Sequence, residues 1–154
     1  MIVLRLVQAA IMTSAVFAGA SAAMAQVGKS VAIVDANIAS DKELAAMPHL
    51  NAALVKAIVD ARPFPSITEL DALLAKSLKR EQITELYGRL FVHLNLNTAT
   101  REQILLIPNA GPRMAHEFEE YRPWRNWAQF QKEIGKYVNQ QEVARLAQYT
   151  FIPI

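Results

Sequence analysis

DANIASDKELAAMP, residues 35–48, and NLNTATREQILLIP, residues 95–108, are one stretch written twice at a fixed offset. In that register Asn37 matches Asn97, Ala39 matches Ala99, Ser40 matches Thr100, Glu43 matches Gln103 and Pro48 matches Pro108. The echo runs on through Arg62-Pro63 and Arg122-Pro123, Phe64 and Trp124, Leu86 and Leu146, and Phe91 and Phe151. Self-similarity at a fixed period means one structural unit used twice. The domain plan is settled before any other argument.

Each copy opens with a capping box. Ser40 precedes Glu43 by three positions, and Thr100 precedes Gln103 by the same step. The hydroxyl accepts the third helical amide, and the side chain there reaches back to the cap amide. A short helix follows, burying Leu44 and Met47 in one copy and Ile104 and Ile107 in the other. Pro48 and Pro108 stop it, since proline lacks a donor and disfavours helix in the residue before it. After a tight turn a second helix begins, with Leu54, Val55, Ile58 and Val59, or Met114, Ala115, Phe118 and Tyr121, at helical spacing. Arg62-Pro63 and Arg122-Pro123 end it. New caps then start a third helix: Ser66 with Glu69, and Asn126 with Gln129. That helix carries Leu70, Leu73 and Leu74, or Trp127, Phe130 and Ile134. A fourth uses Ile83, Leu86 and Leu90, or Val143, Leu146 and Tyr149. Phe91-Val92-His93-Leu94 reads as a short extended link, and Val31-Ala32-Ile33-Val34 as a strand or ordered arm. No glycine-rich linker parts the copies, so they are expected to pack together. The expected class is all-α.

Residues 1–25 differ in kind. Arg5 is their only charge, residues 6–23 are mostly apolar or small, and the stretch ends Ala23-Met24-Ala25. This is the pattern of a secretory signal peptide. The rival reading, an uncleaved membrane anchor, meets a second half rich in Ala, Gly and Ser. The expected plan is a leader over 1–25, one unit over 26–92 and a second over 93–154, exported to the periplasm or secreted, with no membrane insertion once the leader is cut. Of 16 basic and 14 acidic residues, Arg5 goes with the leader, which leaves 15 against 14. There is no cysteine, so an exported chain of this kind must hold itself by core packing.

The run LNLNTATREQILLIPNAGPRMAHEFEEYR, residues 94–122, resembles the helix-hairpin-helix domain of ComEA-type DNA-uptake proteins. Asn95, Asn97, Thr98 and Ala99 match that family's opening. Ile107, Pro108, Gly111 and Pro112 match its hairpin, and Ala115, Tyr121 and Arg122 the helix after it. Residues 35–91 look like a second, more diverged copy. The resemblance implies two tandem helix-hairpin-helix (SAM-like) units. It also implies backbone amides at the start of a helix gripping a duplex phosphate, an interaction that positions DNA without reading bases. Carried over residue by residue, the phosphate site is Asn109, Ala110, Gly111 and Arg113, with Lys136 and Arg145 as flanking cations. The chain also departs from the family pattern. The family's first hairpin glycine is Asn109 here, a residue that tolerates positive φ. The first copy's turn, Pro48-His49-Leu50-Asn51, has no glycine. Neither do the later turns, Ala75-Lys76-Ser77-Leu78 and Lys136-Tyr137-Val138-Asn139. A competing role for Gly111 is simply to permit the turn.

Charge limits the nucleic-acid reading. Non-specific affinity comes from neutralised phosphates. The longest basic run is Lys79-Arg80, and Glu117, Glu119 and Glu120 follow the best hairpin. Duplex binding is therefore expected to be weak and salt-sensitive. The first copy also resembles the PsbU-type extrinsic subunit of photosystem II through its Leu54–Arg62 helix, its Pro63-Phe64-Pro65-Ser66 turn and its terminal Phe91-Val92. That fold serves as a protein-binding piece, so a non-catalytic periplasmic scaffold, docked on an envelope protein, is the alternative. Trp124 and Trp127 are its candidate exposed aromatics, although such residues are more often core. No catalytic motif appears, and His49, His93 and His116 lack ligand spacing. No enzyme activity, cofactor or metal is expected.

Overall fold

Ser40 and Thr100 do what their sequence context asks. Ser40 Oγ accepts the Glu43 amide at 3.3 Å while Glu43 accepts the Ser40 amide at 2.8 Å. Thr100 and Gln103 repeat the exchange at 3.2 and 2.9 Å. The computed structural model describes residues 32–153, so the leader expected over 1–25 lies outside the described residues. The first half runs β1 (Val34–Asp35), α1 (Asp41–Ala45), α2 (Ala52–Ala61), α3 (Ile67–Leu74), α4 (Arg80–Tyr87) and β2 (Leu90–Phe91). The second runs β3 (Leu94–Asn95), α5 (Arg101–Leu105), α6 (Pro112–Glu120), α7 (Trp127–Ile134), α8 (Gln140–Ala147) and β4 (Thr150–Phe151). Each element of the second half starts at the offset that the sequence repeat sets, as Arg101 answers Asp41 and Gln140 answers Arg80.

The protein is mainly helical, and short strands supplement the expected helices. Each half closes on itself with a parallel strand pair: Val34 faces Leu90 and Asp35 faces Phe91, while Leu94 faces Thr150 and Asn95 faces Phe151. Parallel strands need a long crossover, and four helices supply it here. Leu90, expected on the fourth helix, belongs to β2, and Tyr149 lies just past α8. Two-residue strands carry too little periodicity to be read from sequence.

A polar clamp fixes the opening loop of each half to the turn after its second helix. The Asn37 side chain accepts the Phe64 amide at 2.7 Å and donates to the Phe64 carbonyl at 3.1 Å. Asn97 holds Trp124 in the same way at 2.6 and 2.9 Å. Arg62 donates to the carbonyls of Ala36 and Ala39, and Arg122 to those of Leu96 and Ala99. Both Arg-Pro bonds are cis. Burial lowers the Arg122 pKa, the Glu119 charge opposing.

Leu44, Ile58, Ile67, Leu70, Leu74 and Leu86 fill the first half, and Ile104, Phe118, Phe130, Ile134 and Leu146 the second. The halves meet at Phe91. Its ring stands edge-on to Tyr87 and Tyr149, with centroids 5.3 and 5.0 Å away. The Tyr149 hydroxyl donates to the Tyr87 carbonyl at 2.9 Å. Trp124 is buried, and its ring N–H donates to the Phe118 carbonyl at 2.9 Å. Trp127, expected beside Phe130 in the core, touches that ring yet stays 40% exposed. Among the described residues no helix is long and apolar enough to cross a membrane.

Candidate functional site

The α5–α6 turn is built around Asn109, whose φ of 63° is the left-handed conformation that asparagine tolerates. His49 takes the equivalent 64° in the first half. Gly111 has an ordinary φ of −78°. A Cβ added there would meet nothing within 4 Å. Neither turn geometry nor packing therefore asks for glycine at 111, and a role confined to permitting the turn does not account for it.

Gly111 is the N-cap of α6, and no side chain caps that helix. Pro112 follows at the first helical position, where its missing N–H costs nothing. The counterpart of Gly111 is Asn51, whose side chain accepts the Leu54 amide at 2.9 Å. The equivalent amide in the second half belongs to Met114, and the side chain that would cap it has been reduced to a hydrogen. Helix N-termini carry partial positive charge and orphan donors. In α2 one of those donors is spent internally. In α6 it has no side-chain cap; Met114 is itself buried, and Gly111, Pro112 and Arg113 before it are all exposed.

The other expected site residues divide. Ala110 is buried, and its amide donates to the Ile107 carbonyl at 3.0 Å. It is therefore withdrawn from the phosphate set as a donor. Arg113 lays its guanidinium over the Tyr137 ring, 5.1 Å from the centroid. Lys136 stands over Tyr121 at 5.1 Å, and the two tyrosine hydroxyls are 3.0 Å apart. Arg113 and Lys136 thus share one aromatic cluster. Hydrogen bonding with Tyr121, and then interaction with the Glu117 carboxylate, push the Tyr137 phenol up. Lys136 is ion-paired with Glu133, whose hydrogen bond raises its pKa. Arg145 is taken twice by Glu142, at 2.7 Å from each nitrogen, and its pKa too is raised by that pairing. The sequence-predicted flanking cations are therefore largely neutralised, whereas Arg113 has no carboxylate partner among the described residues. Asn139 caps α8 by accepting the Glu142 amide at 2.9 Å, so the second hairpin of that half is closed.

The acidic run after the hairpin is also consumed. Glu117 is buried beside Tyr137, whose phenol its charge helps to hold protonated. Glu119 pairs with Arg101, and Glu120 lies 2.8 Å from His116. An unexpected neighbour stands on the hairpin's other side. Arg80, Thr84 and Tyr87 of α4 line an open groove of about 240 Å³ together with Leu105 and the turn Pro108–Gly111. The one hint in sequence was the basic pair Lys79-Arg80. Among the described residues no group of three or more His, Asp or Glu side chains could hold a metal ion. No family model, curated protein or solved structure matches the chain.

Proposed function

We propose that this is an exported tandem helix-hairpin-helix protein that binds the backbone of duplex DNA without reading sequence, in a ComEA-like role in DNA uptake across the envelope. One observation carries the reading: the amide at the third position of α6 has no side-chain cap, while its repeat partner in α2 is capped by Asn51. Uncapped amides at a helix start, with Arg113 beside them, are a phosphate-binding arrangement. The pairing of Lys136 and Arg145 with glutamates supports only a few phosphate contacts, so binding is weak. For two or three neutralised phosphates the logarithmic salt slope is about −2 to −3. Titration of a fluorescent duplex into the protein at rising salt tests this. A measurable affinity at low salt, abolished by Gly111→Glu, is the expected result. No binding at low salt, or indifference to Gly111→Glu, removes the proposal.

A second reading has its own support. Trp127 is 40% and Phe151 45% exposed, whereas their repeat partners Ile67 and Phe91 are fully buried. Aromatic groups left open where the other copy buries its counterparts suit a non-catalytic periplasmic scaffold that docks on an envelope protein. A protein retained from an envelope extract after nuclease treatment, and lost with Trp127→Ala, would favour this reading over DNA.

A further inference from the structure

At the open α6 hairpin, Arg113 is the cation of its own half that has no carboxylate partner among the described residues. Lys136 and Arg145 are paired with Glu133 and Glu142, and neither lines the groove beside the hairpin. Arg80 comes from the first half, yet it lines the same groove as Asn109 and Gly111. Its guanidinium is not adrift. Asp71 accepts from both terminal nitrogens, at 2.6 and 3.0 Å, and Asp71 is itself held by the Tyr87 hydroxyl at 2.9 Å. That pairing raises the Arg80 pKa. A guanidinium has five N–H donors in a rigid fork, so two bonds to one carboxylate leave donors for a second anion. The Arg80 side chain is about half exposed, and Asp71 is mostly covered. The carboxylate therefore acts as a bracket behind the arginine.

We infer that Arg80 of the first half is a second cation, besides Arg113, that meets the DNA phosphate held at the Gly111 hairpin of the second half, so that the duplex backbone crosses the boundary between the two copies. This rests on the proposed DNA binding, and it explains what the diverged first copy contributes. Its own first hairpin is closed by Asn51, but its α4 presents charge to the neighbouring hairpin. Asp71 is then a positioning residue.

The test is fluorescence anisotropy of a labelled duplex across a salt series, using the full protein, Arg80→Gln, Arg80→Lys, Gly111→Asn and, as a control, Lys56→Gln, whose ammonium pairs with Asp60 on α2. Arg80→Gln is expected to weaken low-salt binding about tenfold and to make the logarithmic salt slope shallower by about one. Arg80→Lys keeps the slope and loses only part of the affinity, because charge remains and the fork does not. Lys56→Gln changes neither. If Arg80→Gln binds like the unaltered protein while Gly111→Asn does not, the Arg80 assignment is wrong and the hairpin reading stands. Equal losses in Arg80→Gln and Lys56→Gln also overturn it, since the charge effect would then be general. If the unaltered protein binds no duplex, both proposals fall.

Discussion

Asn51 and Gly111 occupy the same step of the same hairpin and treat the amide three residues on in opposite ways. Asn51 closes it with a carbonyl oxygen at 2.9 Å, and Gly111 leaves it without a side-chain cap. Around them the copies hardly differ. The left-handed residue before the cap, the capping box before that and the Asn-Arg clamp all recur. A duplicated fold can thus keep its scaffold in both copies and change the chemistry of one by altering a single side chain. The copies differ again at their ends. Phe91 is sealed by the second half, while Phe151 stays 45% exposed.

The largest effect should come from that second contrast. Phe91→Ala removes a fully buried ring flanked by two tyrosines and is expected to cost about 3–5 kcal/mol, as such truncations do. Phe151→Ala, at a half-exposed ring, should cost well under half as much. Denaturant unfolding of both variants would show it, and equal losses would mean that the two strand ends play equivalent roles.

Next comes the exchange of hairpin caps. Gly111→Asn should close the α6 amide and weaken duplex binding about tenfold, the worth of one lost charge-assisted hydrogen bond. It should not lower stability, since asparagine is at least as good a cap as glycine. The reverse change, Asn51→Gly, should cost only a few tenths of a kcal/mol. It opens a second site. Binding titrations of the pair would check this, and normal binding by Gly111→Asn would strip the two caps of any functional difference.

A smaller effect separates Asp35 from its counterpart Asn95. Both accept the amide two residues on, at 2.8 and 2.9 Å. Burial pushes the Asp35 carboxyl up, but the His93 ring at 2.9 Å and the Asn37 amide outweigh it and hold the pKa below its usual value. A carboxylate lowered on folding adds stability above its unfolded pKa, about 3.9, and loses it as pH falls through the folded value. Asp35→Asn should therefore flatten the loss of stability below about pH 4. Melting temperatures across the acid range would check this, and an unchanged acid limb would count against the pairing.

The smallest effect is the most diagnostic of glycine's role. Gly111 has an ordinary φ and open space where a Cβ would sit. Gly111→Ala should cost about half a kcal/mol, because alanine is a poorer N-cap than glycine and the stiffer unfolded chain offsets part of that loss. A loss of more than about 2 kcal/mol would restore the turn-permitting role.

Much of this architecture was legible before any coordinates. The repeat offset, capping boxes and proline stops are local signals: the element boundaries keep the offset, and the boxes at Ser40 and Thr100 survive as contacts. The parallel pairing of β1 with β2 was not legible, because it joins Val34 to Leu90, far along the chain, through strands of two residues. Asn97 and Arg122 match the family's opening and the end of its second helix, and sequence alone does not say what they hold. They turn out to be bonded to backbone carbonyls and amides of their own half. Sequence could place Gly111, Asn109 and Arg113 near one turn. It could not show that Ala110 spends its amide on Ile107, or that Lys136 and Arg145 are paired. Such facts depend on rotamers and on which helix faces which. Arg80 was hidden for the same reason, since only tertiary packing carries it from α4 to the hairpin of Asn109 and Gly111.

A two-dimensional amide NMR titration of the protein with a short duplex at low salt would decide between a closed hairpin and an open one. The Arg113 and Met114 amides should move, while the repeat-related Leu54 amide, held by Asn51, stays in place. Shifts at Leu54 with Met114 unmoved would overturn that division.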